Sequence, residues 1–429
     1  MRAALSVFGG FLIHIVLGTV YITGNISIYV ASYLHSVGHD VALKDLSIIL
    51  PLQVIGTTIS LILGSYLTTR FNPWMTAILG NSILVGSVFA SSFIKTFYLF
   101  AIVYGFIYGF GVGISYTTPM IIGWSHFPKH KGRVSGIIVS GFGFGSSIFN
   151  VVSTHWINPD NKSPDVECHG DKFFASDVAD RFPMVLRWLS LIYLIVSLIG
   201  ILLLIRPKKS IEIDDYITTQ KEEECPSIIA GIKTKHFWFL FLSGFCSFIP
   251  GLYIAYSYKT FGKHEINDDH FLTYVGSASS IFNGSFRYLW GMLMDKTSFK
   301  TSYCILLLCQ IGLMASLYYI ATIKWLYLIW VSFLLCCEGG NLSLFPTIIA
   351  RMYGKTMGSK IYGVFFYTFG LGAMAGYFIQ FHVVPEVGYY GLFYIMSGVT
   401  CISLLIQIIF FKEEKLWSLS KKLSDSVNQ

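Results

Sequence analysis

Ionisable side chains are scarce in this chain. Asp, Glu, Lys and Arg together make up 12% of the 429 residues, against 54% apolar types. With so little charge and a positive mean hydropathy, long uncharged stretches recur, which excludes an ordinary soluble domain and points to a polytopic membrane protein. Cysteine offers no covalent framework. Cys246, Cys304, Cys309, Cys336, Cys337 and Cys401 fall in apolar stretches, Cys225 lies in a central polar loop, and Cys168 stands alone on the opposite side. A catalytic triad, a zinc signature and a recognised address signal are missing as well, so neither an enzyme nor a cofactor is expected. Gly141-Phe142-Gly143-Phe144-Gly145 has the outward look of a phosphate loop, but it sits inside an apolar stretch and reads as a helix-packing strip. His35 and His39, beside Asp40, lack a third ligand, so no metal is expected there. Asn161-Lys162-Ser163, followed by Pro164, is the one Asn-x-Ser sequence in an outer loop.

What the chain does have is twelve apolar spans, near 8–31, 46–69, 74–94, 97–124, 133–154, 185–205, 237–258, 270–294, 301–323, 325–350, 361–381 and 388–411. The first begins almost at Met1, is about twice the length of a signal-peptide core, and shows no small-residue cleavage site, so it is expected to remain as a helix. With both termini in the cytosol, 20 of the 30 Lys and Arg residues lie on the inner side, among them Arg70, Lys129, Lys131, Arg133, Lys296, Lys300 and Arg351. The positive-inside rule favours that orientation. The net charge of +7 is this loop bias, and it gives no reason to expect nucleic acid as a partner.

The chain repeats itself at an offset of 227 residues. Gly64, Gly113, Pro119, Gly136, Gly143 and Gly145 recur without a gap as Gly291, Gly340, Pro346, Gly363, Gly370 and Gly372. Two related halves follow. The expected architecture is an all-α membrane protein of two pseudo-symmetric six-helix bundles, 1–206 and 236–411. A charged linker at 207–235 joins them, and a tail covers 412–429.

Two charges break both the apolar pattern and the repeat. Arg287 lies inside span 8, roughly 12 Å from its Asp295 end at about 1.5 Å of rise per residue, where Ser60 is its counterpart. Glu338 in span 10 is matched by Gly111. An arginine at such depth costs about 3 kcal/mol or more to insert, so it is expected to face a water-filled cavity or a partner, and it suggests an anion site. One reading pairs Arg287 with Glu338 as a structural ion pair. The other leaves Arg287 for an anionic substrate and makes Glu338 a proton carrier. Polar residues also form stripes at helical spacing: His14, Gly18, Tyr21 and Asn25 in span 1; Tyr104, Tyr108, Gly111 and Ser115 in span 4; Ser280, Asn283, Gly284 and Arg287 in span 8. Gln53 in span 2 lies on the face of Gly64. These stripes either line a pathway or supply interhelical hydrogen bonds. Tyr21, Gln53, Tyr108, Asn25 and Asn283 are the candidates to line it, and His14 joins Glu338 as a candidate for proton coupling.

The segment from Asn283 through Arg287 and Gly291 to Asp295-Lys296 resembles span 8 and the following loop of the major facilitator superfamily, in particular its oxalate:formate antiporter and monocarboxylate transporter branches. Gly18 and Tyr21, then Gly111, Gly113, Tyr116, Pro119, Trp124, Phe127-Pro128, Gly132 and Ser135-Gly136, are similar to the antiporter pattern. So are Phe237-Trp238, Pro346, Tyr362-Gly363 and Gly370. The resemblance implies that Arg287 binds a substrate carboxylate, for which a planar guanidinium is suited. It also implies that Arg70, Asp295 and Lys296 belong to loops that gate the inner side. Phe369 stands where oxalate-type members resembling this chain carry a lysine, which shifts the expectation toward a monocarboxylate such as formate, lactate or pyruvate. Thr68 replaces the usual acid of the first-half loop, and the acidic-Gly-Gly-Trp signature of animal-type carriers is absent from span 1. The expected activity is secondary transport of a small organic anion by alternating access, with proton symport or exchange for a counter-anion. The carrier is expected to act as a monomer in the lipid bilayer. The alternatives are a transporter of a neutral or amino-acid-like metabolite, and a non-transporting receptor or subunit of the same fold.

Overall fold

The computed structural model describes residues 2–39, 41–160, 162, 164–168, 171–205, 224–266, 268–414 and 416. Asp40, the sequon positions Asn161 and Ser163, most of the linker and the tail beyond Leu416 lie outside the described residues.

Helices occupy all twelve apolar stretches. They are α1 (Arg2–Ser36), α2 (Ile49–Arg70), α3 (Pro73–Ser91), α4 (Phe97–His126), α5 (Lys131–Ile157) and α6 (Ser176–Leu203). The second set comprises α7 (Lys235–Glu265), α8 (Asp269–Lys296), α9 (Phe299–Ile320), α10 (Lys324–Tyr353), α11 (Lys355–Phe365 continued by Tyr367–Phe378) and α12 (Val384–Phe410). Several run past their apolar stretch because polar loop residues start them. Asn72 caps α3 at Trp74, Thr234 caps α7 at Phe237, Asp268 caps α8 at Phe271, and Ser298 caps α9 at Thr301. Each cap satisfies an amide that the first helical turn leaves open. Gly354, with φ +92, joins α10 to α11 in one residue, a left-handed backbone that glycine adopts without strain.

Ten of the helices are long and apolar enough to cross a membrane by length and composition; α8 and α11 are outside that set. The serines, Asn283 and Arg287 dilute the hydropathy of α8, and α11 is broken at Phe366 into two shorter pieces.

The packing repeats as the sequence does. Helix α2 lies along α4 as α8 lies along α10; α3 meets α6 as α9 meets α12. By contact the chain falls into two compact units, one of Phe8–Thr118 with Gly141–Leu203, the other of Met1–Val7, Pro119–Ser140 and Leu204–Gln429. The first unit carries a short antiparallel hairpin (Val166–Cys168 with Asp171–Phe173), beyond which Phe174 stacks on Tyr29 at 5.0 Å. His35, one of the two histidines considered for a metal, stacks on Phe173 at 5.0 Å. In the glycine strip, a methyl added at Gly141 would stand 2.3 Å from the carbonyl oxygen of Phe11, and one at Gly145 would stand 1.9 Å from that of Ile15. The strip therefore brings α5 into backbone contact with α1.

Both units present aliphatic side chains outward, such as Ile102, Leu198 and Leu202 in one and Leu308, Leu405 and Ile409 in the other, while serines, threonines, Asn283, Arg287 and Glu338 are buried. That distribution suits a lipid solvent, where polar groups find partners inside the protein. Many buried hydroxyls bond back to their own helix, as Ser60 does to Gly56 and Thr400 to Met396.

Candidate functional site

Arg287 is 0% exposed. Its Nε and Nη2 both donate to Asn283 Oδ1, at 3.1 and 2.7 Å, and Nη1 donates to the carbonyl of Val139 on α5 at 2.9 Å. Asn283 in turn donates its amide to the carbonyl of Leu335 on α10 at 2.7 Å. One carboxamide thus fixes the guanidinium and ties α8 to α10. Hydrogen bonds from a charged donor are worth about 1.5–3 kcal/mol each, enough for three of them to outweigh the insertion penalty of the charge.

The guanidinium is enclosed by protein in this conformation and not open to solvent, and glycines allow that close packing. A methyl at Gly136 would stand 2.5 Å from the carbonyl of Arg287. Those at Gly132 and Gly291 would stand 2.5 and 2.2 Å from each other's carbonyls, and one at Gly339 would stand 3.1 Å from Arg287 Cγ. Bare backbones thus bring α5 and α10 into close contact with α8.

Glu338 is 2% exposed, and neither carboxyl oxygen has a hydrogen-bond partner. Among the described residues it forms no ion pair with Arg287. It lies instead against Gly251 of α7, where a methyl would stand 2.1 Å from Oε2. Asn341, one turn further along α10, has both amide atoms buried and outside hydrogen-bond geometry, though its side chain bears on the Glu338 carboxyl. Phe369 belongs to an aromatic cluster, stacked on Phe366 at 4.9 Å and edge-on to Phe248 at 5.3 Å.

The other candidates lie in the first unit, mostly in helix-to-helix hydrogen bonds. Gln53 accepts from Thr23 at 2.8 Å and donates to the carbonyl of Tyr104 at 3.1 Å. Tyr108 shares a 2.7 Å bond with Thr19. The span 1 stripe faces α5: Asn25 donates to Thr154 at 2.7 Å, Tyr21 meets Phe142 edge-on at 5.5 Å, and Gly18 abuts the Phe142 backbone. His14 Nδ1 lies 3.0 Å from the Gly10 carbonyl, with the ring 5.2 Å from that of Tyr116. Only Tyr21 and Asn25 of this group keep partial exposure.

At the far end of α8, Asp295 holds a clasp. Its carboxylate accepts the backbone N–H groups of Gly132 and Arg133 at 3.1 and 2.8 Å and pairs with Arg351 at 2.6 Å, with the side chain only 1% exposed. A negative group at the first turn of α5 also meets the positive end of that helix dipole. Its repeat counterpart, Thr68, makes neutral bonds instead, to the Thr118 hydroxyl at 2.6 Å and to the Gly64 carbonyl of its own helix at 2.8 Å. Arg70 and Lys296, expected beside Asp295 in gating, are exposed and form no ion pair among the described residues. Arg351 takes that place instead, and it also reaches Glu413, which accepts the N–H of Phe299 at the start of α9. Where the linker re-enters the described chain, Glu224 accepts the N–H of Thr356, and Lys355 donates to Ser125. Burial pushes the Lys355 ammonium below its usual range, with Glu224 opposing the shift. Arg351 and Val139 had no signal in the sequence: one reads as a loop cation, and the other contributes only its carbonyl.

The Major Facilitator Superfamily profile matches residues 7–376 and 240–426. Apicoplast pyruvate carrier 1 of Toxoplasma gondii is 27% identical, covering 93% of this chain and 87% of that protein. The oxalate:formate antiporter of Oxalobacter formigenes is 24% identical over 70% of this chain and 67% of its own length. Among solved structures, the proton:xylose symporter XylE superposes with a TM-score of 0.71 at 13% identity, covering 99% of this chain and 98% of its own. FucP in its outward conformation gives 0.69, also at 13% identity, over 95% and 100%. Profile, relatives and fold agree: this chain is an integral multi-pass membrane transporter that belongs to the Major Facilitator Superfamily.

Proposed function

We propose that the protein carries small monocarboxylates of the formate, lactate or pyruvate type across a membrane, with both termini in the cytosol and Arg287 as the group that receives the carboxylate. The observation that carries this reading is the way Arg287 is held. A side-chain amide and a main-chain carbonyl bind it, and a carboxylate can displace such neutral acceptors because a charge-assisted bidentate pair is roughly twice as strong as a neutral bond. Val139 of α5 occupies one edge of the fork in this conformation. An alternating-access cycle in which α5 withdraws from α8 would free that edge for substrate. The likeness to a protein named as a pyruvate carrier supports a monocarboxylate, as does Phe369, which adds no second cation.

The test is uptake of labelled formate, lactate and pyruvate into proteoliposomes, with oxalate, xylose and amino acids as competitors. Wild type should transport a monocarboxylate. Arg287→Ala should abolish transport, and Arg287→Lys should lose most of it, because an ammonium cannot form the two-bonded fork. Undiminished uptake in both variants would remove Arg287 from the mechanism.

A further inference from the structure

We propose that four tyrosines at one end of α9 and α12 form a seat for the phosphocholine headgroup of a membrane lipid. Tyr318 and Tyr319 lie at the close of α9, and Tyr390 and Tyr394 lie one turn apart near the start of α12; all four rings are partly exposed. Membrane proteins commonly carry tyrosines at their interfaces, where the ring is apolar and the hydroxyl meets water. This cluster is built differently. Tyr390 stands at 76° to Tyr318, 85° to Tyr319 and 69° to Tyr394, with centroids 5.3, 6.0 and 5.1 Å from its own. The hydroxyl of Tyr319 donates to that of Tyr390 at 3.2 Å and shares a 2.9 Å bond with that of Tyr394. Rings held near right angles across two helices make a corner with open π-faces.

Such a corner suits a quaternary ammonium. A cation within about 6 Å of a ring centroid is drawn to the π-face, and aromatic cages recognise choline in this way. The hydroxyls serve the phosphate beside it. Tyr319 gives its proton to Tyr390 and takes one from Tyr394, so the O–H of Tyr390 is left to donate to a phosphate oxygen. A purely anionic headgroup finds less here, because Lys324, five residues beyond Tyr319, is held by Asp268 at 2.5 Å. Below the tyrosines the two helices offer a track for the acyl chain. Gly312 and Leu308 continue the exposed face of α9, and Gly398 and Ile402 continue that of α12 beneath Tyr394. A methyl at either glycine would meet nothing within 4 Å, so each leaves a notch in the lipid-facing surface, and Ser397 ties the helices together by donating to the carbonyl of Ile311 at 3.2 Å. Seat and track together select a lipid over a soluble phosphocholine. This end of α9 is the one remote from Asp295, so with cytosolic termini the lipid belongs to the opposite leaflet.

The test reconstitutes the full-length protein in liposomes of equal parts phosphatidylcholine, phosphatidylethanolamine and phosphatidylglycerol with matched acyl chains. The protein is then extracted in mild detergent, and the lipids it retains are quantified by mass spectrometry. Wild type should retain phosphatidylcholine in roughly fivefold preference to the other two, the ratio that about 1 kcal/mol of cation–π attraction gives. Tyr390→Leu, which removes the wall shared by the other three rings, should return the retained lipids to the input ratio. Tyr390→Phe keeps the ring face without the donor and should show an intermediate preference. Tyr318→Leu removes a second wall and serves if the first leucine variant does not fold. Tyr98, 80% exposed on α4, supplies the control, since Tyr98→Leu alters a lone surface tyrosine and should leave the preference intact. Equal retention of the three lipids by wild type, or a preference for phosphatidylglycerol or phosphatidylethanolamine, would overturn the proposal. So would a Tyr390→Leu variant that keeps the wild-type preference, a Tyr390→Phe variant as poor as the leucine one, or a Tyr98→Leu variant that loses as much. None of these outcomes bears on Arg287 or on the monocarboxylate reading.

Discussion

Asn283 deserves as much weight as the arginine it holds. Its oxygen accepts two guanidinium bonds and its nitrogen anchors α10, so on the proposed reading its chemistry sets how tightly Arg287 is held against an incoming substrate. Asn283→Ala removes an acceptor from a buried charge and a donor from Leu335, and it should destabilise the protein by about 1–3 kcal/mol, read as a lower Tm in detergent. Asn283→Asp should do the opposite. A built-in carboxylate completes an ion pair with Arg287, so Tm should hold or rise while pyruvate uptake is lost to internal competition; an aspartate variant that transports normally would show that substrate does not use this guanidinium. Arg287 was conspicuous in the sequence because one charge in an apolar stretch has few explanations. Glu338 was conspicuous for the same reason, and only the coordinates show that the two do not pair. Val139 was invisible, since any residue type presents the same carbonyl.

At the level of elements, the repeated halves differ most at the position shared by Thr68 and Asp295. The threonine makes neutral hydroxyl bonds, one across to Thr118 and one back to Gly64 of its own helix, whereas the aspartate binds two amides of α5 and the guanidinium of Arg351. Asp295→Asn retains one carbonyl acceptor, loses the charge that complements Arg351 and the helix terminus, and should lower stability by roughly 1–3 kcal/mol. Because the carboxylate is almost wholly shielded, the loss should vary little with salt, in contrast to an exposed pair. A thermal-unfolding series at low and high ionic strength measures both points. Helix positions were legible from hydropathy alone, but their ends were not. Caps such as Thr234 and Asp268 extend helices into polar sequence, and α11 breaks at Phe366 for reasons that hydropathy does not carry. The polar stripe of span 1 was legible as a face. That the face meets α5 depended on Gly18, Gly141 and Gly145 admitting a close neighbour.

For the molecule as a whole, a carrier must bind its substrate and still let go, so the ligand should stabilise the protein measurably without locking it. Pyruvate at saturating concentration should raise the Tm of wild type, since binding to the folded state alone shifts unfolding by mass action, about 2.7 kcal/mol at a hundredfold excess over Kd. Arg287→Ala should show no shift, and neither protein should respond to xylose. Sequence by itself determined the membrane class, the twelve helices, the duplication and the two misplaced charges, because each is a property of composition or spacing that lipid enforces on any chain with this pattern. Tertiary structure alone decided that Arg287 is fully buried, that Val139 and Asn283 hold it, that Glu338 sits against Gly251, and that Arg351 pairs with Asp295. Those outcomes depend on how closely particular glycine-bearing backbones approach one another, a distance set by packing in three dimensions and not by the order of residues along one helix.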